Sequence, residues 1–549
     1  MLQNFKNNKI LFLIILAAAF LRLWNLSNIP PHLTPDEASL GYNAYSILKT
    51  GRDEYGQVLP VIFKSFGDYK PGLYVYLTVP SVAIFGLNEF AVRLPSALAG
   101  IISVYLVFLI SNLLLKQKKL SLIGSFIMAV TPWAIYFSRG AWEVNVSLTL
   151  TLAGIYFFLK ALERPKFLVL SSLFFSTTLL AYQGAKLSTG IVVLILVLLY
   201  WKKLLSFQKR VLALAFVIGF LILLPILLSV LRGQAGRLAV FSIFSYPRPR
   251  ENIQSFLDQG EEKIGDLNYY LFHSETLNFK RGILGRWFNH FSGRFLFFEG
   301  DWPNPRHSAP HQGMLLLSDL ILLILGFVAL VRSGLRKKSL FVWLWLVLAP
   351  LPAVLSRDQV HAVRAFNMVI PMVLLLSFGL DSIVSNRNRI LKHSFFAVYV
   401  LAFVYFLDAY FVHLPKHNSN YWEYGYKQIV ETVTPIQKNY KIIRVQQSYA
   451  QPYIYFLFYQ KYDPANYQKQ AKFVESEFRG DVGYVEKLDN ICFCPIDWSV
   501  NRGNRATLFV ADTIRIPPED SSDEKLFKLI KEIKYLNGLY TAFRIIEVK

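Results

Sequence analysis

The segment TPDEASLGYNAYSILKTG, residues 34–51, carries two adjacent carboxylates, Asp36 and Glu37. It lies between two strongly apolar runs, residues 10–24 and 92–115, so its charges are held beside a membrane. Ionisable groups kept at a membrane usually serve a function. The segment therefore predicts a helix next to the bilayer of a membrane protein, and it marks a place where chemistry is expected.

The first residues of this segment are typical of a helix N-terminus. Thr34 suits the N-cap, Pro35 suits the first helical position, and Glu37 completes a capping box. Apolar side chains then recur at helical spacing until Thr50 and Gly51 stop the helix. We predict an amphipathic helix that lies along the membrane surface. Capping alone accounts for both carboxylates, and it does not exclude catalysis.

The composition is that of a polytopic membrane protein. Of the 549 residues, 54% are hydrophobic, and the mean hydropathy is +0.36. The formal net charge is +22, but the basic residues fall in short clusters between apolar runs, so we interpret the charge as topological and exclude nucleic acid as a partner. Cys492 and Cys494 are too close for an easy disulfide and too few for a zinc cage, and we assign them no role.

Apolar runs long enough to cross a bilayer predict about eleven transmembrane helices. No small-residue cleavage site follows the first run, which favours a retained helix over a signal peptide. The runs lie near residues 10–24, 92–115, 120–137, 145–161, 167–181, 187–201, 211–231, 314–331, 339–355, 365–384 and 394–412.

The basic residues of the short connections predict the orientation. Eighteen Lys and Arg residues fall on one side of the predicted membrane, whereas the short loops on the other side hold only Arg139, Lys186, Arg357 and Arg364. The positive-inside rule then makes the N-terminus cytoplasmic. With an odd number of spans, the C-terminus is outside. We expect a multi-pass plasma-membrane protein whose active site and C-terminal domain are extracytoplasmic.

Three larger segments are predicted to face away from the cytoplasm: residues 25–91, 232–313 and 413–549. The last one predicts a small α/β domain, which divides the chain into a transmembrane catalytic domain (1–412) and a C-terminal domain (413–549). Within it, strands are predicted at 440–445, 506–511 and 542–548, a helical stretch at 523–536, and a core helix in the aromatic run 448–462, which is less typical of a sugar-stacking surface.

The predicted outer loops contain charged residues that a simple membrane anchor does not need. In SRGAWEVN, residues 138–145, Arg139 and Glu143 are four apart and would share a helix face, where they could pair. His307 and His311 have the spacing of metal ligands on a helix, but Pro310 argues against a helix there. We therefore assign no metal ligands; no cofactor is certain, and a divalent metal is possible but not supported.

Together these groups suit a site that binds a lipid-linked phosphate and handles protons. Cations bind phosphate through charge-assisted hydrogen bonds, and a carboxylate can take the proton of an attacking hydroxyl. The sequence has no Gly-rich phosphate loop or Walker motif, which argues against a nucleotide donor. The candidate phosphate-binding cations are Lys70, Arg93, Arg139, Arg306 and Arg364; the candidate catalytic carboxylates are Asp36, Glu37 and Glu143; and Tyr69, His307 and His361 are candidate accessory residues.

Five motifs, in order, resemble those of the polyprenyl-phosphate-dependent GT-C glycosyltransferases. They are TPDE at 34–37, YKPGLYVYL at 69–77, RLPSALAG at 93–100, SRGAWEVN at 138–145 and FFEGDWPNPRHSAPHQG at 297–313. Within these enzymes the chain is most similar to the bacterial branch of the protein O-mannosyltransferase family, glycosyltransferase family 39, which is related to the aminoarabinose transferases. The resemblance covers about residues 10–412.

The resemblance implies a GT-C membrane enzyme that transfers mannose or another hexose or pentose from a polyprenyl phosphate to a protein, lipid or glycan acceptor, with inversion. It maps the expected base of the first outer loop onto Asp36, the phosphate-binding lysine onto Lys70, and the acid of the second outer loop onto Glu143. The aminoarabinose branch has an acidic residue implicated in metal binding just before that lysine. Here this position is Tyr69, and the second proline of the motif is Gly72. A metal-assisted mechanism is therefore not implied.

Two other interpretations remain open at the level of sequence. A transferase that builds a lipid-linked or cell-wall glycan would share the donor-site motifs, because acceptor choice would lie in the long loop and the C-terminal domain. A transporter or flippase of lipid-linked sugars belongs to a different class. Transporters tend to show internal repeats and ionisable or broken elements near the midplane, whereas these charges cluster at the predicted outer face.

Overall fold

The computed structural model describes residues 2–233, 242–245, 247–332, 336–448, 450–476 and 482–549, with only the backbone of residues 2–8 and 336. Residues 234–241 and 246, which belong to the predicted outer loop 232–313, lie outside the described residues. So do the side chains of Lys6 and Arg336, two of the basic residues that predict the orientation.

Helices dominate the chain up to residue 417. Two short strands, β1 (Ile62–Ser65) and β2 (Asp68–Pro71), form a hairpin in the first loop. The helices are α1 (Leu2–Leu23), α2 (Pro35–Thr50), α3 (Leu73–Phe85), α4 (Glu89–Leu115), α5 (Lys118–Val130), α6 (Pro132–Arg139), α7 (Glu143–Ala161), α8 (Phe167–Ala181), α9 (Ala185–Leu205), α10 (Lys209–Leu231), α11 (Arg250–Gln259), α12 (Glu275–Phe291), α13 (Asp319–Arg332), α14 (Arg336–Leu348), α15 (Leu351–Val354), α16 (Val369–Ser385), α17 (Arg389–Asp408) and α18 (Leu414–His417).

The predicted architecture of a multi-pass helical membrane protein is confirmed. Among the described residues, seven helical segments are long and apolar enough to cross a membrane, and α5 with α6, bent by 54°, makes an eighth if the pair is one span. The sequence count of about eleven included shorter runs: α8 has 15 residues and α13 has 14, against about 20 for a straight crossing. The seven segments are Glu89–Leu115, Glu143–Ala161, Ala185–Leu205, Lys209–Leu231, Lys337–Val354, Phe366–Ser385 and Arg389–His417.

The C-terminal part of the chain folds around a six-stranded mixed sheet. Its strand order is β6-β7-β3-β8-β10-β9, with β3 parallel to both neighbours and the other pairs antiparallel. The elements are α19 (Tyr426–Ile436), β3 (Ile443–Gln446), α20 (Pro452–Tyr459), α21 (Pro464–Gln470), β4 (Phe473–Val474), β5 (Tyr484–Val485), β6 (Lys487–Leu488), β7 (Ile491–Cys494), α22 (Trp498–Asn501), β8 (Thr507–Ala511), α23 (Pro518–Ser521), β9 (Phe527–Lys534) and β10 (Thr541–Val548).

Three of the predicted strands and the core helix of the aromatic run are confirmed as β3, β8, β10 and α20. The prediction of a helix at 523–536 is wrong, because β9 occupies this stretch and pairs with β10 as a hairpin. Its Lys and Glu residues repeat at helical spacing, but the stretch leads into Asn537 and Gly538, a strong hairpin signal. Gly538 has the positive φ of 72° that such turns require. The turn and the partner strand thus override the local helical pattern.

The two cysteines form a disulfide, which corrects the expectation that their spacing makes one difficult. Both lie on β7 and are joined as Cys492–Cys494. Residues two apart on a strand project from the same face, and the Cα–Cα distance of 5.5 Å falls within the ordinary range for disulfides.

Helix α2 begins and ends where the sequence predicts. Thr34 Oγ1 accepts a hydrogen bond from the Glu37 backbone N–H at 3.2 Å, and Glu37 Oε2 accepts one from the Thr34 N–H at 2.9 Å. Gly51 caps the other end with a left-handed φ of 67°. Every residue from 37 to 44 is buried, so this part of α2 lacks the exposed polar face that the amphipathic pattern predicts. Helices α3 and α20 pack against α2. Its position along the membrane surface stays a prediction.

The C-terminal domain packs directly on the first loop. One apolar core lies between the transmembrane helices. A second apolar core is formed where α2, α3 and the start of α4 pack against α19, α20 and the sheet. Close approach at the centre of this contact requires a glycine: a Cβ on Gly41 would lie 2.5 Å from Val92 Cγ2 and 2.6 Å from Phe458 Cε2. The helix that carries Asp36 is therefore held by contacts with both the N-terminal and the C-terminal parts of the chain.

Candidate active site

Asp36 and Lys70 form an ion pair at the end of α2. Asp36 lies in the first helical turn, and Lys70 lies on β2 of the hairpin. Phe66 and Gly67, both with positive φ, make the tight turn that returns β2 alongside β1. The Asp36 side chain is 58% exposed and that of Lys70 is 24% exposed, so both ends of the pair are accessible.

The neighbours of Lys70 keep its ammonium charged. Burial opposes the charge, but the carboxylates of Asp36 and Glu143 outweigh it and raise the pKa of Lys70. The side chain of Gln183, which the sequence did not single out, donates a hydrogen bond to the Tyr69 carbonyl and so holds the strand next to Lys70. A lysine fixed in this way presents a permanent positive charge at neutral pH.

Glu143 completes a small acidic and basic cluster. Together with Asp36 and Lys70 it lines a cavity of about 20 Å³, which is room for roughly one water molecule. Ser39 and Asn43 line the same cavity from the next turns of α2. Glu143 Oε1 is buried and has no hydrogen-bond partner among the described residues. A buried polar atom without a partner costs about 1–3 kcal/mol, and the adjacent cavity has room for a water that could bind it.

Glu37 has surroundings quite unlike those of its neighbour. Its carboxylate pairs with Arg93 at 3.0 Å, and Oε1 also accepts a hydrogen bond from the Ala141 N–H at 2.8 Å. Arg93 donates further hydrogen bonds to the carbonyls of Pro30 at 2.9 Å and His32 at 2.7 Å. The Arg93 side chain is fully buried. These two residues therefore tie the first loop to α4 and α6–α7.

Arg139 is also fully buried and binds backbone carbonyls. It donates to the carbonyls of Leu21 at 2.8 Å, Trp24 at 2.7 Å and Ile29 at 3.0 Å. These bonds connect the end of α1 and the loop after it to α6. The expected helical pairing of Arg139 with Glu143 is wrong, since α6 ends at Arg139 and α7 begins at Glu143. Because of this break, Arg139 binds backbone carbonyls, whereas Glu143 lines the cavity beside Lys70.

Arg306 and Arg364 belong to later segments that are predicted to be outer loops. Arg364 pairs with Asp358 at 2.7 Å. Arg306 lies near Glu423, whose pKa is raised to about 7 by burial, with Arg306 acting in the opposite direction. The Tyr136 hydroxyl donates to the Arg306 carbonyl at 2.7 Å and anchors that loop to α6. Both arginines are partly buried.

The two accessory histidines, His307 and His361, lie close together although they are far apart in the sequence. Asp301 Oδ2 and His307 Nδ1 are 2.8 Å apart, and the rings of His307 and His361 are 5.1 Å apart. Burial lowers the pKa of His361 well below its usual value, and Arg364 adds to the effect. The ring of Trp142, which immediately precedes Glu143, contacts His307 with centroids 5.5 Å apart. Sequence reasoning noted Asp301 only as one of several charges in its loop.

Glu54 is a buried carboxyl that sequence reasoning did not select. Asn43 Nδ2 donates to Glu54 Oε1 at 3.0 Å, and the Glu54 N–H donates to Asn43 Oδ1 at 3.0 Å. Burial raises the pKa of Glu54 to about 8. Asn43 also lines the cavity beside Asp36. The two hydrogen bonds with Glu54 therefore hold a residue of the cavity wall in place. The only sequence signal was an acidic pair, Asp53 and Glu54, in a predicted loop.

Tyr69, the residue immediately before Lys70, carries no carboxylate. A multi-pass helical region with a small C-terminal sheet domain is the architecture that the resemblance to GT-C proteins predicts. The comparisons with known proteins agree with this class.

Residues 69–228 match the model of the dolichyl-phosphate-mannose-protein mannosyltransferase family. The putative mannosyltransferase YkcB of Bacillus subtilis is 30% identical over 172 residues, which cover 30% of this chain and 22% of the Bacillus protein. The sequence similarity thus spans less than a quarter of that relative. The segment matched by the family model contains the motifs YKPGLYVYL at 69–77, RLPSALAG at 93–100 and SRGAWEVN at 138–145.

Among solved structures, ArnT from Cupriavidus metallidurans has a similar fold, both in the apo state and bound to undecaprenyl phosphate. The TM-score is 0.56 at 12% identity, over 97% of each chain. Archaeal oligosaccharyltransferase AglB from Archaeoglobus fulgidus, in complex with an inhibitory peptide and a dolichol-phosphate, gives 0.51 at 12% identity over 83% of this chain and 64% of its own. The predicted resemblance to the GT-C glycosyltransferases is confirmed.

Proposed function

We propose that this protein is a membrane glycosyltransferase that moves a hexose or pentose from a polyprenyl-phosphate donor to an extracytoplasmic acceptor hydroxyl, with inversion. The observation that carries the proposal is the contact between Asp36 and Lys70 beside a cavity that Glu143 also lines. A carboxylate and a fixed cation at one accessible point are the two groups that this reaction needs. The relatives named above support the lipid-phosphate donor, since ArnT is bound to undecaprenyl phosphate and AglB to a dolichol-phosphate.

In the proposed reaction Asp36 takes the proton of the acceptor hydroxyl. The acceptor oxygen forms a bond to the anomeric carbon while the bond from that carbon to the phosphate oxygen breaks. The electron pair leaves with the polyprenyl phosphate, whose added negative charge Lys70 stabilises. Attack from the face opposite the leaving group inverts the anomeric carbon. Binding of the donor phosphate displaces Asp36 from Lys70 and so frees the carboxylate to act as a base.

We propose two different roles for the predicted phosphate-binding cations. Arg93 and Arg139 are buried and bonded to carboxylate and carbonyl groups, so we propose that they position the first loop rather than touch the donor. Glu37 belongs with them as a positioning residue. Arg306 and Arg364 lie on outer segments near the His307–His361 contact, and we propose that they bind the phosphate together with Lys70. Glu143 orients either the acceptor or Lys70.

The orientation is part of the same proposal. Basic residues cluster in the connections opposite the loop that carries Asp36 and Lys70, and the positive-inside rule assigns those connections to the cytoplasm. The site and the C-terminal sheet domain then face away from the cytoplasm at the plasma membrane. A polyprenyl-phosphate sugar, rather than a nucleotide sugar, is the donor available on that side.

The test is donor turnover by the purified full-length protein with a panel of synthetic polyprenyl-phosphate sugars and acceptor hydroxyls. Release of polyprenyl phosphate by the wild type, lost in Asp36→Asn and Lys70→Met, supports the proposal. Lys64→Met is the matched control, since Lys64 lies on the same hairpin but pairs with the exposed Glu475. Wild-type turnover by Asp36→Asn would remove Asp36 from the mechanism. Movement of the donor across proteoliposomes without phosphate release would replace the transferase by a transporter.

A further inference from the structure

Asp301, His307 and His361 bring three metal-ligating side chains together from two outer segments. One ligand atom of each lies within 4.8 Å of the other two, and this is the only such group of three or more found in the described parts of the chain. Asp301 and His307 lie in the segment after α12, whereas His361 lies in the turn before α16. This proximity was not predicted, because the histidine spacing typical of metal ligands was that of His307 with His311.

The carboxylate at the centre of this cluster is fixed by both segments. Asp301 Oδ2 accepts hydrogen bonds from the Ala362 N–H at 2.7 Å and from His307 Nδ1 at 2.8 Å, if that nitrogen carries the proton. Asn304 Nδ2 donates to the other oxygen at 2.9 Å. The Asp301 side chain is fully buried, and the His307 and His361 side chains are 8% and 13% exposed. The three groups are thus pre-positioned in an enclosed place.

We propose that Asp301, His307 and His361 bind one divalent transition-metal ion of the zinc class. Two imidazole nitrogens and one carboxylate oxygen form a ligand set that zinc takes in proteins, and a fourth position stays open to water. Mg²⁺ and Ca²⁺ favour sites made of oxygen atoms alone, usually six or more of them, so this mixed set selects against both. Metal–ligand distances of about 2.0–2.2 Å require the side chains to close by about an ångström around the ion.

His311 does not belong to this site. It lies four residues after His307 but has a left-handed φ of 55° in the loop and is exposed. Pro310 prevents the helix that would have put both histidines on one face. The site therefore differs both from the spacing seen in the sequence and from the acidic position before Lys70, which is occupied by Tyr69.

A bound ion would lock together the two segments that carry candidate phosphate-binding arginines. Arg306 immediately precedes His307, and Arg364 follows His361 by three residues. This consequence rests on the proposed function, because it assumes that the arginines meet a donor phosphate. Metal binding itself does not depend on the reaction, and it is measured without donor or acceptor.

The experiment measures metal content and metal spectroscopy of the purified full-length protein in detergent. Protein stripped with a chelator is dialysed against micromolar Zn²⁺, and bound zinc is counted by mass spectrometry; Co²⁺ replaces Zn²⁺ for visible absorption. We expect one ion per chain in the wild type and in the control His311→Gln. In His307→Gln and His361→Gln we expect at least tenfold weaker binding and loss of the Co²⁺ band.

A wild type that binds no stoichiometric zinc overturns the proposal, as does zinc binding that survives both histidine substitutions. Should a variant fold poorly, thermal melting of the wild type gives the second readout. Zn²⁺ must raise the Tm of the wild type and of His311→Gln, because a ligand that binds only the folded state stabilises it. An unchanged wild-type Tm at saturating Zn²⁺, with no bound ion, contradicts the site. Neither readout involves transfer, so loss of the metal site and loss of the proposed reaction are distinguished.

Discussion

Asp36 and Glu37 are neighbours on one helical turn, yet their surroundings are opposite. Asp36 is 58% exposed and pairs with a lysine on a hairpin, whereas Glu37 is 5% exposed and pairs with a fully buried arginine. Glu37 also caps α2 and receives the Ala141 N–H. The comparison teaches that adjacent carboxylates can have different roles: Glu37 holds the backbone of the first loop, whereas Asp36 remains accessible at the surface.

Substitution of Asp36 by asparagine tests the role of the exposed carboxylate. We expect transfer to fall by about 10²–10⁴-fold, the usual contribution of a positioned base. The free energy of unfolding should change by less than about 1 kcal/mol, since an exposed ion pair contributes little. Turnover and thermal melting of the same preparation check this. A large fall in Tm together with lost activity would mean that Asp36, like Glu37, acts by supporting the fold.

Substitution of Arg93 by methionine removes the buried ion pair between Arg93 and Glu37. It leaves the Glu37 carboxylate buried without its cation, which typically costs about 3–5 kcal/mol. We expect a large fall in the Tm of the detergent-solubilised protein. Lys64→Met is the control, because it breaks a pair with the exposed Glu475 and should cost less than about 1 kcal/mol. Equal melting temperatures for the two variants would contradict the structural role of Arg93.

Glu54 extends the comparison to pH. Its folded-state pKa is raised to about 8, whereas the unfolded carboxyl titrates near its ordinary value of about 4.3. Between these values the folded state binds the additional proton, so stability falls as pH rises, by at most about 1.4 kcal/mol per pH unit. Glu54→Gln should remove this slope. Chemical or thermal unfolding at pH 5, 6, 7 and 8 measures it, and an identical slope in both proteins would place the titration elsewhere.

Thr34 supports both halves of the comparison and should give the smallest effect. Thr34→Ala removes the side-chain oxygen that accepts from the Glu37 N–H, which costs about 0.5–2 kcal/mol. Thr34→Ser keeps the cap and is the matched control. We expect a modest fall in Tm for the alanine variant alone. A serine variant as unstable as the alanine variant would assign the effect to the lost methyl group and not to the cap.

Local signals in the sequence predict much of this structure. The cap at Thr34, the stop at Gly51 and the core helix at 452–459 each depend on residues within a few positions of one another. Asp36 and Lys70, which form an ion pair, were both predicted as site residues because the family motifs contain them. The GT-C resemblance, drawn from five short motifs, is confirmed by a fold similarity over almost the whole chain.

Features that depend on distant contacts were not predictable from the same signals. Nothing local shows that Arg93 and Arg139 meet backbone carbonyls, because these carbonyls come from the end of α1 and the loop after it. The meeting of Asp301 with His361 depends on how α12 and α16 are packed. The β9 hairpin shows the remaining difficulty, since a partner strand outweighs a helical pattern of charges. Sequence thus predicts which groups carry charge better than it predicts which of them water or a ligand can reach.

The contact between α2 and the C-terminal domain also has a consequence for biosynthesis. The Tyr42 hydroxyl donates to the Tyr462 carbonyl at 3.1 Å, across 420 residues of chain. At about 5–20 residues per second, the ribosome needs roughly 20–80 s to synthesise the intervening chain. During that time α2 has left the ribosome but lacks the surface that buries it. The burial of α2, which carries Asp36, is therefore completed only after the C-terminal domain has been made.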